Sequence, residues 1–401
     1  MVDFEPNNDV DMIKRSIDGF LEQEIEPLEK KHEDILTPDY RKLRDDGRLK
    51  DEVVDIIKTV RRKSGEAGYW AMHMPEDVGG GGMNIVDLVD ILQHIYSKGL
   101  GLNEHLIENT PGPHPTLLEM DDSLKDEYLY PLIEGKKDGC FALTEGSSGS
   151  DALNMSTTAE KDGDEWVIDG SKMWITNSPY ADFVQVFAVT DPDAGPGGVS
   201  SFLVDADNPG FTVTRVIDTI ELDGMHAELD FTNCRVPDTN VIGEVGSGFY
   251  TAMEQINYGR ARIAARCAGL MEFLLEECVE YANSRTSWDR PIGKRQHVRG
   301  MIADIAVWQE TVENLALKTA WLIEQGENPI KVSAMAKYYA TETLFQAADN
   351  AVQVFGGNGL SLDYPLERVF RYARTLRIPE GTSEMQKERI ADEVGLGSGI
   401  K

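Results

Sequence analysis

The residues best placed to do chemistry lie in one stretch: Arg377, Ile378, Pro379, Glu380, Gly381, Thr382, Ser383, Glu384, Met385 and Gln386. Ser383 and Gln386 have the spacing of a capping box, which predicts a helix that starts here with its first N–H groups turned outward. Such a turn can face an anion or a polarised ligand atom. Glu380 stands immediately before it, a carboxylate beside an electrophilic corner. The same ten residues also read as an ordinary capped helix with a solvent-exposed glutamate.

Three more segments narrow that choice. Phe141, Ala142, Leu143, Thr144 and Glu145 form an apolar, strand-like run that breaks into Gly146, Ser147, Ser148, Gly149, Ser150 and Asp151. Small residues let a backbone approach a ligand closely, and the hydroxyls add donors; alone, the run is only a turn. Lys172, Met173, Trp174, Ile175, Thr176 and Asn177 follow an expected hairpin at Asp169 and Gly170. There Trp174 offers a flat face to a planar cofactor and Thr176 a hydroxyl, although an aromatic on a strand is also ordinary core. Gln353, Gly356, Gly357 and Gly359 precede Arg368, Arg371 and Arg374, and they read equally as a helix ending at glycine.

In this order and at these separations, the four segments resemble the acyl-CoA dehydrogenase family of flavoproteins. They are similar to its TEPxAGSD, KxWITN, QxxGGxG and EGTxxxQ patterns, and the likeness covers nearly the whole chain. The resemblance implies an α+β, mostly α fold: an N-terminal helical domain, a middle antiparallel β domain (barrel or sandwich) and a C-terminal four-helix-type bundle. It also implies FAD, an acyl-CoA substrate oxidised to a trans-2-enoyl-CoA, and electron-transferring flavoprotein as acceptor. Matched residue by residue, Glu380 is the base. Phe141, Leu143, Thr144, Trp174, Thr176, Thr382 and Glu384 line the FAD of their own subunit. Arg285, Ser287, Gln296, Gln353 and Gly357 reach the FAD of a neighbouring subunit in a homotetramer, a dimer of dimers. Ile175, Gly356 and Gly381 complete the cofactor set, and Ser150, Asn257 and Arg260 match positions at the CoA moiety.

The reaction explains these residue types. A weakly acidic α-proton must be taken while a hydride leaves the β-carbon, so base and acceptor flank the substrate. No side chain accepts hydride, which makes an isoalloxazine ring the sink. Some family members carry the base at the position of Gly259, which has no side chain to serve. Departures from the pattern are Gly146 for a proline, Asn257 for an acidic residue, Trp288 and Asp289 for Phe-Gly, Tyr372 for an aspartate and Pro379 for a tyrosine. An oxidase returning electrons to oxygen and a non-catalytic acyl-CoA or flavin binder are the competing readings.

Composition bounds the rest. With 401 residues there is room for two or three domains, and boundaries near 137 and 240 are expected from the change of pattern. The four cysteines lack CxxC spacing and the seven histidines lack a ligand pair, so no metal is expected. The start of the chain has no basic region followed by an apolar one, which argues against secretion. A formal net charge of -31 disfavours nucleic acid and implies self-repulsion that salt would relieve. A salt-rich cytoplasm is the expected setting.

The elements that must position the site follow from periodicity. Helical patterns run over residues 12–28 and 85–96, and over 250–284, 297–324 and 330–355. Short β-rich runs cover 183–189, 201–204, 211–215 and 227–231. Gly79 to Gly82 read as a simple flexible turn. Neither they nor residues 243–248 sit in the strand-turn-helix unit of a phosphate loop.

Overall fold

The computed structural model describes residues 8–107 and 111–397. The N-terminal leader reading concerns residues 1–6, outside the described ones. The chain forms two compact units, one of Lys30–Met83 and His105–Gln255, the other of Met1–Glu29, Asn84–Glu104 and Ile256–Lys401.

The first unit is built on an eight-stranded sheet. Its strands are β1 (Gly139–Ala142), β2 (Thr158–Asp162), β3 (Glu165–Thr176), β4 (Phe183–Val189), β5 (Val199–Asp205), β6 (Phe211–Val216), β7 (His226–Pro237) and β8 (Val241–Ile242). They run in the order β6-β7-β3-β2-β4-β5-β8, with β1 added beside β4. Alternation along β3 and β7 turns Trp166, Ile168, Leu229, Phe231 and Val236 into one core with Val184, Val186 and Phe202. Each such side chain contributes roughly 1.5–3 kcal/mol on burial. A second cluster of the same unit joins Trp70, Leu129, Leu132, Phe183 and Leu203.

Three local readings change. The sheet is mixed, because β1 and β2 each pair with β4 in parallel; neither is joined to β4 by a tight turn, so nothing forces the antiparallel arrangement. The hairpin between β2 and β3 turns at Gly163 and Asp164, where Asp162 pairs with Glu165 and Gly163 has φ +65. Asp169 and Gly170 lie inside β3, and a Cβ on Gly170 would stand 2.5 Å from Thr157 Oγ1. That glycine serves close strand approach rather than a turn. The Gly79 to Gly82 segment is also packed rather than loose: Gly81 N–H donates to Ala71 O and Gly82 N–H to Met74 O. A Cβ on Gly80 would collide with the Met74 carbonyl.

The second unit is helical. It contains α1 (Asn8–Phe20), α3 (Ile85–Tyr96), most of α4 (Gly248–Ser284), α5 (Gln296–Glu324), α6 (Ile330–Phe355), α7 (Leu366–Thr375) and α8 (Ser383–Ala391); α2 (Asp51–Glu66) belongs to the first unit. The predicted spans 85–96 and 330–355 coincide with α3 and α6. Alanines 261, 264, 265 and 268 of α4 and 336, 340, 347 and 351 of α6 are fully buried, so these backbones pack closely. At Gly269 a Cβ would press into the Gln93 carbonyl and Tyr96 of α3. All four cysteines are buried and unpaired, and no helix among the described residues is long and apolar enough to cross a membrane.

Candidate active site

In the helical unit, α7 ends at Thr375 and α8 begins at Ser383; Glu380 lies in the connection. The N-cap is Thr382, whose hydroxyl accepts from Met385 N–H, one residue earlier than the capping box predicted. Ser383 instead donates to Glu342 Oε1 at 2.6 Å. Gln386 does turn back, but its Nε2 donates to the carbonyls of Glu380 and Gly381, both at 3.0 Å.

These bonds restrain a backbone that would otherwise relax. Glu380 has φ +54 and Gly381 φ +90, and a left-handed non-glycine residue costs about 1–3 kcal/mol. Two more donors reach the turn: Arg260 Nε to Glu380 O at 3.3 Å and Lys337 Nζ to Gly381 O at 2.8 Å. Glycine suits position 381 because φ +90 is a conformation that side chains rarely adopt, and a Cβ there would also press on Gln386 Nε2 at 2.6 Å.

The Glu380 carboxylate rests over Gly259. A Cβ there would lie 2.5 Å from both carboxylate oxygens, so the position lacking a side chain is the berth of the Glu380 carboxylate. Oε2 is removed from solvent and has no hydrogen-bond partner among the described residues. Burial raises the pKa of Glu380 above the usual value, and the charges of Arg262, Arg260, Arg266 and Lys337 only partly oppose it.

Lys337 is the residue that sequence reading missed. It is fully buried, and burial pulls its pKa down to about 8 against the opposing charge of Glu380. The signal was available, since 333, 337, 340, 341 and 344 form one buried face of α6, and a lone lysine on such a face calls for a partner. Arg260 donates through Nη1 to Asn257 Oδ1 at 2.8 Å, joining the two residues matched to the CoA moiety. Thr382 caps α8 and Glu384 is exposed.

The sheet unit holds the other set. A one-residue bulge interrupts β3 between Lys172 and Ile175, and Trp174 there has φ +65 and is 50% exposed. Ile175 points into the core, leaving only its backbone for a ligand, and Leu143 is likewise buried. Thr144 O accepts from Met173 N–H, tying the 141–145 segment to the bulge. Phe141 packs against Phe187 with ring centroids 4.7 Å apart; Ser150 is exposed.

Beneath this surface Glu145 accepts five hydrogen bonds, from Ser156 N–H and Oγ, Thr157 N–H and Oγ1, and Lys172 Nζ. Although burial disfavours its charge, Lys172 and these donors hold Glu145 down at about 2. Lys172, fully enclosed, is pulled to about 8 by burial despite Glu145.

The remaining matched residues gather at the ends of α4, α5 and α6 in the helical unit. Ser287 pairs with Arg290 in a two-stranded hairpin whose turn is Trp288 and Asp289, both at positive φ. Arg285 precedes it, and Gln296 opens α5. Gln353 lies in the last turn of α6, which ends at Phe355 and is followed by Gly356 with φ +62; nothing among the described residues obstructs a Cβ at Gly356 or Gly357. The helix-ending reading of these glycines therefore holds.

Comparison with known proteins agrees with this architecture. Residues 7–136, 140–234 and 246–395 match the models of the acyl-CoA dehydrogenase N-terminal, middle and C-terminal domains. The chain is 38% identical over 328 residues to an acyl-CoA dehydrogenase of Bacillus subtilis, covering 81% of this chain and 86% of that one. It is 32% identical over 387 residues to the 3-(aryl)acrylate reductase of Clostridium sporogenes, covering 96% and 98%. The butyryl-CoA dehydrogenase structure from Megasphaera elsdenii superposes with TM-score 0.84 at 28% identity, over 98% of this chain and 100% of that one. The chain belongs to the acyl-CoA dehydrogenase family, whose members are FAD flavoproteins, and it is an oxidoreductase. The residues present suit that cofactor: a half-exposed indole held out by a strained bulge, the neighbouring Thr144 and Thr176 hydroxyls, and a nearby carboxylate, Glu145, already neutralised by Lys172.

Proposed function

We propose that this protein dehydrogenates an acyl-CoA thioester between Cα and Cβ, giving a trans-2-enoyl-CoA, with electrons passing on to an electron-transferring flavoprotein. Glu380 takes the α-proton. The observation that carries this is its carboxylate, held over Gly259 with Oε2 out of water and without a hydrogen-bond partner among the described residues. A base so placed is raised toward the working pH and free to accept a proton. Bound FAD supplies the acceptor for the β-hydride.

In the same reading, Phe141, Leu143, Thr144, Trp174, Ile175, Thr176, Gly381, Thr382 and Glu384 bind FAD within one subunit. Arg285, Ser287, Gln296, Gln353, Gly356 and Gly357 serve the FAD of a neighbour in a homotetramer. Arg260, Asn257 and Ser150 act at the CoA moiety. Mass measurement of the holoprotein tests the assembly, and the rate at which reduced enzyme reoxidises in air separates a dehydrogenase from an oxidase.

The deciding experiment mixes Glu380→Gln anaerobically with straight-chain acyl-CoAs. Retained flavin without bleaching is the expected result; bleaching at the wild-type rate would remove Glu380 from the reaction. The net charge of -31 supports a salt-rich cytoplasm. Dialysis to low salt is expected to abolish the far-UV dichroism of the folded protein, and an unchanged spectrum contradicts that setting.

A further inference from the structure

Behind the Thr176 hydroxyl lies a pair of groups that the proposed reaction does not use. Thr176 and His226 are direct cross-strand partners on β3 and β7, and Thr176 Oγ1 stands 3.1 Å from His226 Nδ1. On its other side the ring's Nε2 lies 3.1 Å from Asp223 Oδ2. Asp223 is itself fixed, since its Oδ1 accepts from Met225 N–H and Thr219 Oγ1. A hydroxyl, an imidazole and a carboxylate are thus joined in line within the sheet unit.

We infer that Asp223 and His226 are positioning residues that set the direction in which the Thr176 hydroxyl donates, and through it the electron affinity of bound flavin. The inference rests on the reading that Thr176 contacts FAD.

The argument follows from the donors and acceptors available. Asp223 accepts at Nε2–H in either charge state of the ring. When His226 is neutral with its proton on Nε2, Nδ1 is an acceptor and the Thr176 hydroxyl donates its hydrogen bond to it. When His226 is protonated, Nδ1–H donates to Thr176 Oγ1, and the hydroxyl proton is released to point elsewhere. Thr176 then offers the cofactor a donor rather than a lone pair. Reduction adds electron density to a flavin, so a donor favours the reduced form.

The charged groups that face the ring are Asp223 and Glu221. Burial opposes the imidazolium, but the Asp223 hydrogen bond and charge, with Glu221, outweigh it and raise the pKa of His226 above its usual value. The donor state therefore dominates at low pH and is lost as pH rises through that elevated value.

The test is the midpoint potential of the intact holoenzyme from about pH 5.5 to 9, compared between wild type, His226→Gln and Asp223→Asn. At the acid end wild type should exceed His226→Gln by about tenfold in the reduced-to-oxidised ratio, about 30 mV for a two-electron couple. The gap should close as His226 deprotonates, and at lower pH in Asp223→Asn. Parallel curves for wild type and His226→Gln would overturn the inference.

A second measurement needs no variant. In wild-type protein, the His226 imidazole titration followed by NMR should move to higher pH when the flavin is reduced, because coupling is reciprocal. A titration indifferent to reduction overturns the relay even where acyl-CoA still bleaches the flavin. Wild-type protein that binds no FAD would instead defeat the functional reading beneath it.

Discussion

Glu145 and Glu380 are both carboxylates withdrawn from water beside cations, yet their acidities move in opposite directions. Around Glu145 five bonds among the described residues address the carboxylate itself, including one from a lysine at 3.0 Å. Around Glu380 the donors from α4, α6 and α8 address backbone carbonyls, of Glu380 and of its neighbour Gly381. The carboxylate is held in place while its Oε2 has no hydrogen-bond partner among the described residues. Nearby positive charge alone does not decide a pKa; the bonds to the charged atoms do. One arrangement anchors a loop and the other suits the base proposed for Glu380.

Removing the base should have the largest effect. Glu380→Gln is expected to lower the rate of flavin reduction by about 10⁴-fold, the upper range for general base catalysis, with stability little changed. Next is Lys172→Met, which leaves Glu145 charged and buried without its cation. A loss of about 3–5 kcal/mol in urea unfolding is expected, and an unchanged midpoint would show the anchor to be dispensable.

Gly259→Ala should act on geometry. Its methyl would displace the Glu380 carboxylate and reduce turnover about 10²-fold, the scale of an ångström misplacement, while denaturation moves far less than in Lys172→Met. The smallest effects are in pH. Turnover should rise with pH through the elevated Glu380 pKa, since only the ionised form accepts a proton. Lys337→Met removes a cation that opposes the elevation, so the inflection should move up. Glu145 behaves inversely: its depressed pKa contributes stability above the usual glutamate value, and that contribution is lost as pH falls toward 2. Acid unfolding of Glu145→Gln should lack that component.

Much of this was legible because it depends on local pattern. The periodicity over 85–96 and 330–355 marked α3 and α6, and the apolar run 183–189 marked β4. The position of Glu380 just ahead of a helix start was also legible, and α8 begins at Ser383. What escaped was set by distant partners. Lys337 meets Gly381 across 44 residues, and nothing beside it in sequence announces that. Asp169 and Gly170 have turn chemistry, but Thr157, just ahead of β2, uses the glycine as a gap. Thr382, rather than Ser383, caps α8 because Glu342 of α6 claims the serine hydroxyl.

Gly259 and Glu380 also compete for a single volume, 121 residues apart on the chain but in van der Waals exclusion of one another. A glutamate grown at 259 would have to evict the present occupant. Transplanting the proton acceptor between these positions therefore requires two coordinated exchanges, Gly259→Glu together with Glu380→Gly, and either one alone leaves the berth overfilled or empty.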